Sequence, residues 1–244
     1  KRIAAYYYNQ GIAWDKGVVL NYKRWTKPKE GVTKVAFPPG AGTLDLEREK
    51  SPRIRDFFWQ TDTSISKKSW GYIENDEYKS PGRLVDDLVD IVSKNGCLLL
   101  NVGPCADGTI PQEAKDILLS IGQWLKLNGE AIYNTRPWKI YGEGPTSVAE
   151  GHLSEKKNKP FTEKDIRFTH ANNALYAIAL AWPTDGILEI KSLKSANSLL
   201  PKITNIKLLG SNDKLTWEQT ANSLQIHLPR KKPCDFAYVL KIVE

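Results

Sequence analysis

The chain has 244 residues, 41% hydrophobic and 26% charged, which excludes a disordered tail and is long enough for one large domain or two ordinary ones. Its net charge is +7, but the densest basic runs (KPKEGVTK, SEKKNKPFTEKD, PRKKP) carry acids or lie in turn-rich sequence. They read as solvated surface, so no nucleic acid is expected as partner. No window approaches the ~20 apolar residues of a membrane span, and no membrane partner is expected.

The first nine residues suit the end of a helix, with Gly11 as its stop. Short strand-like runs follow at 17–23 (GVVLNYK), 42–48 (GTLDLER) and 56–65 (DFFWQTDTSI), separated by turn signals such as KPKEG and FPPGAG. Residues 80–96 form an amphipathic helix, with Leu84, Leu88, Ile91 and Val92 on one face and Gly96 as its cap. CLLLNVGP (97–104) reads as a strand buried on both faces. A second helix spans 110–129, opened near Pro111 and closed by Gly129. This alternation is α/β architecture, with a (β/α)8-like barrel as its closed form. About four strands precede residue 110, which is half of the eight a barrel needs.

Beyond Pro145 the texture changes. Strand-like runs at 166–182, 186–193, 203–210, 215–229 and 236–244 alternate with turns such as PTDG and SNDK, and no helical pattern remains. The expectation is a partial barrel over 1–142 and an antiparallel β-sandwich over 143–244.

Cys97, Cys105 and Cys234 are an odd set without metal-like spacing, which argues against a disulfide scaffold or zinc site. No metal and no cofactor are expected. Eight tryptophans and ten tyrosines serve core packing first, but flat rings also make platforms for sugars. The opening KRIAAYYYNQG has no secretory h-region, and the chain contains no methionine. It reads as the middle of an element, so a fragment of a longer protein is expected.

Six segments jointly carry a resemblance: AAYYYN (4–9), the VVLNYK strand, PGAGTLDLER, WQTDTSIS with SWGY (59–72), LVDIVSKNGCLLLNVGPCADGTIP (88–111) and IGQWLKLNGEAIYNTRPW (121–138). Together they resemble the α-L-fucosidases of glycoside hydrolase family 29. The resemblance implies a (β/α)8-like barrel with a β-sandwich appended, and retaining hydrolysis of terminal α-L-fucose from a fucosylated glycan or oligosaccharide. It also implies an aspartate nucleophile upstream of AAYYYN, ahead of Lys1. The chain alone would then be weakly active or inactive, would need the missing N-terminal half of the barrel, and could associate as a homo-oligomer through its open face. Family habit favours a periplasmic or extracellular enzyme.

In TLDLERE, strand alternation puts Leu44 and Leu46 on one face and Asp45 and Glu47 on the other. Glu47 lies later on the strand, nearer the barrel mouth where active residues collect. It matches the family's general acid/base, a role that needs a carboxyl protonated near neutrality. The competing readings are an ion pair of Glu47 with Arg48 or Arg53, or the same role for Glu49 or Asp45. Trp70 of SWGY matches the aromatic that packs on the apolar face of fucose; the alternative is a core tryptophan. Lys23 and Arg24 compete for the family's cation near the sugar, and Lys23 is favoured by sharing a strand face with Asn21. Trp59 reads as structural, and Asn101 and Asp107 as shaping the NVGP turn and its loop. The rival function is a non-catalytic carbohydrate-binding relative.

Overall fold

The computed structural model describes residues 2–23, 40–172, 174–195 and 203–243. Helix α1 (Arg2–Ala13) continues through Gly11. It stops where Asp15 takes a left-handed φ of 52° and Lys16 N–H reaches back to Gly11 C=O at 2.9 Å. The expected terminator is thus an interior residue, and an aspartate, which tolerates that conformation, makes the stop.

Four parallel strands follow in sequence order: β1 (Asn21–Lys23), β2 (Thr43–Glu47), β3 (Trp59–Ser64) and β4 (Gly96–Asn101). Register places Lys23 beside Asp45, Glu47 beside Asp62 and Asp62 beside Leu99. Leu44, Leu46 and Trp59 point to the opposite face, where they pack on Ile91 of helix α2 (Pro81–Val92). Ser80 caps α2 by accepting a hydrogen bond from Arg83 N–H. The helix ends at Ser93, earlier than the sequence suggests. Gly96 is needed for a different reason: a Cβ there would meet Trp59 Cε2 at 2.5 Å. Strand β4 departs from the fully buried expectation, because Leu99 is 52% exposed on the face shared with Asp62. Helix α3 (Gln112–Asn128) closes this part, with Gly129 as its C-cap as expected.

Among the described residues, the rest of the chain forms two antiparallel sheets. The larger orders β5 (Arg136–Glu143), β6 (Ile166–Ala171), β7 (Ala174–Ala179), β12 (Tyr238–Val243) and β9 (Asn205–Leu208). The smaller orders β10 (Thr216–Gln219), β11 (Leu224–His227) and β8 (Ile187–Ile190). Their facing residues, among them Phe168, Ala177 and Leu240 against Leu188, Leu224 and Ile226, make one core. On its other face the large sheet packs Tyr176, Ile178 and Val239 against Val85, Val89 and Trp124 of α2 and α3. Burial on both sides explains why ALYAIA shows no polar alternation. Strand β5 pairs with β6, although RPWKIYGE gave no strand signal of its own.

Candidate active site

The parallel strands end together on one side of their sheet. Lys23 closes β1, Glu47 closes β2, and the register sets Asp62 of β3 beside Glu47. The Lys23 ammonium lies 2.6 Å from Asp62 Oδ2, 3.1 Å from Asp45 Oδ2 and 3.6 Å from Glu47 Oε2. Side-chain exposure is 8% for Asp45, 17% for Asp62 and 29% for Glu47, so Glu47 is the most open of the three acids. Burial works against the Lys23 charge, but hydrogen bonds and attraction from Asp62 and Asp45 outweigh it and raise its pKa above the ordinary value. One oxygen each of Asp45 and Asp62 (Oδ1) is buried with no hydrogen-bond partner among the described residues.

Behind this cluster stands a second layer built on Arg48. Its guanidinium lies 4.3 Å from the ring centroid of Trp70, which is half-buried, and donates to Ser66 C=O at 3.5 Å and Ser69 C=O at 3.2 Å. It also pairs with Glu155 Oε1 at 2.5 Å. Of the competing reading of Glu47 as the ion-pair partner of Arg48 or Arg53, the Arg48 pair does not form: Arg48 pairs with Glu155, and Glu47 faces Lys23. Glu155 Oε2 accepts from Thr63 Oγ1 at 2.5 Å and from Lys79 Nζ at 3.0 Å. Burial alone would push the Glu155 carboxyl up, but the Thr63 hydrogen bond, Lys79 and Arg48 hold it below the ordinary carboxylate value.

Trp70 is held from the other side by Asn101, whose Nδ2 donates to Trp70 C=O at 2.6 Å and to Ser64 Oγ at 3.2 Å. Asn101 thus reaches from the end of β4 into the SWGY loop as well as starting the NVGP turn. Asp107 accepts from Thr109 N–H at 3.0 Å and shapes its loop as expected. Trp59 is fully buried and donates Nε1–H to Lys94 C=O at 2.9 Å, a structural role.

Glu47, Lys23 and Asp45 come together as the strand pattern suggests, with Trp70 one layer away over Arg48. Arg24 lies outside the described residues. Glu49 is half-buried past the strand end, where its carbonyl accepts from Thr61 Oγ1 at 2.8 Å. Asp62 was missed, although it alternates with Gln60 and Ser64 in WQTDTS; only strand register puts it next to Glu47. Glu155 was missed as well, and its distance of 107 positions from Arg48 leaves no local signal.

A family model described as alpha-L-fucosidase matches residues 2–130, more than half of the chain, and one described as the alpha-L-fucosidase C-terminal domain matches 158–243. The chain belongs to the α-L-fucosidase family. Mouse tissue alpha-L-fucosidase is 32% identical over 206 residues, covering 81% of this chain and 41% of its own length. Human plasma alpha-L-fucosidase is 30% identical over 246 residues, covering 98% and 47%. A solved alpha-L-fucosidase superposes on the whole chain and 48% of its own with a TM-score of 0.73 at 29% identity. The Thermotoga maritima alpha-fucosidase in complex with fucose gives 0.62 at 28% identity, covering 83% and 45%. The chain thus spans less than half the length of these fucosidase relatives. Within the fucosidase match, the first segment holds Lys23, Glu47, Asp62 and Trp70, and Glu155 falls between the two matched segments.

Proposed function

We propose that this chain is the C-terminal part of a retaining exo-α-L-fucosidase, in which Glu47 is the general acid/base for terminal α-L-fucose on a glycan. The observation that carries this reading is the position of Glu47: it ends β2, is the most open of three clustered carboxylates, and is the one farthest from the Lys23 ammonium. Asp45 and Asp62 are closer to that cation and more enclosed, which suits fixed counter-charges better than a proton donor.

In the proposed reaction the Glu47 carboxyl protonates the glycosidic oxygen as the bond to the sugar breaks, and its carboxylate then takes a proton from the water that releases fucose. An aspartate nucleophile about 5–5.5 Å away would form the glycosyl-enzyme intermediate in a retaining enzyme. The relatives' greater length leaves room outside this chain for it and for the remaining barrel strands, and the family resemblance puts it ahead of AAYYYN. Exposed Ile3, Tyr6, Ile12, Trp14 and Val19 on and after α1 suit contact with such a segment. Trp70 serves as the platform for the apolar face of fucose, and Lys23 as the cation near its hydroxyls, with Arg24 the second choice.

The test is Glu47→Gln in the full-length protein. Turnover of a fucosyl disaccharide should fall by about 10²–10⁴-fold. The first step on an aryl fucoside with a good leaving group should stay near the wild-type rate, because it needs little protonation. Unchanged disaccharide turnover removes Glu47 from the role, and a wild-type protein that binds fucose without hydrolysing it favours the non-catalytic reading.

A further inference from the structure

The peptide joining Glu47 to Arg48 is gripped by a segment far away in sequence. Leu153 N–H donates to Glu47 C=O at 3.2 Å, and Glu155 N–H donates to Arg48 C=O at 2.9 Å. On the opposite side Arg48 N–H donates to Asp62 C=O at 2.9 Å. Arg48 and Leu153 both adopt left-handed backbone, with φ of 47° and 60°. A non-glycine residue holds that conformation only where its surroundings enforce it. Here the enforcement is mutual, since each strained residue lies in a segment bonded to the other.

The Glu155 side chain completes the grip. Its carboxylate, about nine-tenths buried, binds Arg48 with one oxygen and Thr63 and Lys79 with the other. Those three partners belong to the end of β2, to β3 and to the segment before α2. Through the Arg48 guanidinium the same carboxylate fixes the surface under the Trp70 ring and the Ser66 and Ser69 carbonyls that start its loop. A guanidinium that is free to swing offers no flat support, whereas one held in an ion pair does.

We propose that Glu155 is a positioning residue of the fucosidase site: it acts through Arg48 to orient Trp70 and to fix the strand end that carries Glu47. The inference rests on the roles given above to Trp70 and Glu47. It makes the segment joining β5 to β6 of the large antiparallel sheet part of the machinery that holds the sugar.

Two readouts test it. In protein labelled with 5-fluorotryptophan, the Trp70 resonance is assigned by its loss in Trp70→Phe. Glu155→Gln should shift or broaden that resonance and leave those of Trp124 and Trp182, which sit in other packing clusters, unmoved. In the full-length enzyme the same substitution should raise KM for an aryl fucoside about 10- to 100-fold, the scale of a small misplacement of a binding group. A purely structural role would reduce the folded fraction and so the apparent kcat, without moving KM. If Glu155→Gln does not fold, Glu155→Asp keeps the charge and withdraws the carboxylate by one methylene, with the same two expectations. An unmoved Trp70 resonance with unchanged KM in a folded variant overturns the inference. A wild-type protein without fucosidase activity sinks the functional reading instead, and the Trp70 resonance still reports whether Glu155 orients that ring.

Discussion

Arg167 Nε of β6 lies 2.7 Å from Asp90 Oδ1 of α2, with the two side chains 2% and 0% exposed. The parallel and antiparallel parts of the chain are therefore joined by an ion pair sealed from water. Lys94 donates to both oxygens of the same carboxylate at 2.8 Å. Burial would push the Asp90 carboxyl up, but Lys94, Lys50 and Arg167 hold it below the ordinary value.

Asp90→Asn should destabilise the protein by about 3–5 kcal/mol at pH 7, because it leaves two buried cations facing a neutral group. A depressed carboxyl contributes stability above its unfolded pKa and loses it as pH falls through the folded one. The gap between wild type and variant in urea unfolding should therefore hold at neutral pH and close below the ordinary value of 3.8. A variant as stable as wild type at pH 7 would show that the pair does not hold α2 to β6.

Asp86, about one turn before Asp90 in the same helix, has the opposite sign. Burial and the neighbouring Asp87 carboxylate raise its pKa from 3.8 to about 7, against Lys50, Arg83 and Arg167, which lower it. Its Oδ1 is buried with no hydrogen-bond partner among the described residues. The folded form binds this proton more tightly than the unfolded chain, so stability falls as pH rises from 3.8 to about 7. Asp86→Asn should then stabilise by up to about 4 kcal/mol at pH 8 and give no gain at pH 3.5. Equal effects at both pH values would mean that Asp86 does not titrate in this range.

What the sequence discloses follows from how local each signal is. Helices α2 and α3 show through their apolar spacing and caps, and β2 through the alternation of Leu44 and Leu46 with Asp45 and Glu47. Those cues lie within a few residues, so Glu47 and Lys23 could be singled out from pattern together with family resemblance. Asp62 and Glu155 could not, since their importance arises from strand register and from a contact across 107 positions. Gly11 and Gly96 misled for a related reason: glycine marks both helix ends and places where something packs close. The exposure of Leu99 is illegible too, because an apolar run looks the same whether or not its far face is covered.

Gly103 of the NVGP turn ties two of these features together. A Cβ there would fall 2.6 Å from Tyr72 N and 2.7 Å from Gly71 C, backbone atoms of the loop that carries Trp70. Gly103→Ala must push that loop away and pull Trp70 C=O off Asn101 Nδ2. We expect a loss of about 1–3 kcal/mol in stability, typical of overpacking. In the full-length enzyme a rise in KM for fucosides should accompany it. Unchanged KM in the folded variant would place Trp70 outside the sugar site.

Lys23→Gln tests the charge arrangement at the strand ends. The ammonium is within 3.6 Å of Asp45, Asp62 and Glu47, and its raised pKa keeps it charged until pH passes above the ordinary 10.5. Its contribution to stability is thus present throughout the neutral range and is lost only in strong alkali. Glutamine removes the ammonium from between three carboxylates, and like charges left facing one another disfavour ionisation. For a general acid at Glu47 this should move the basic limb of the kcat/KM profile to higher pH, while the maximal rate falls if Lys23 also binds the sugar. The same variant should lose stability at pH 7, with a Tm lower by a few degrees for about 1 kcal/mol. A basic limb that stays in place would show that the reacting acid does not feel Lys23, and would move the acid/base role away from Glu47 toward a carboxyl outside this cluster.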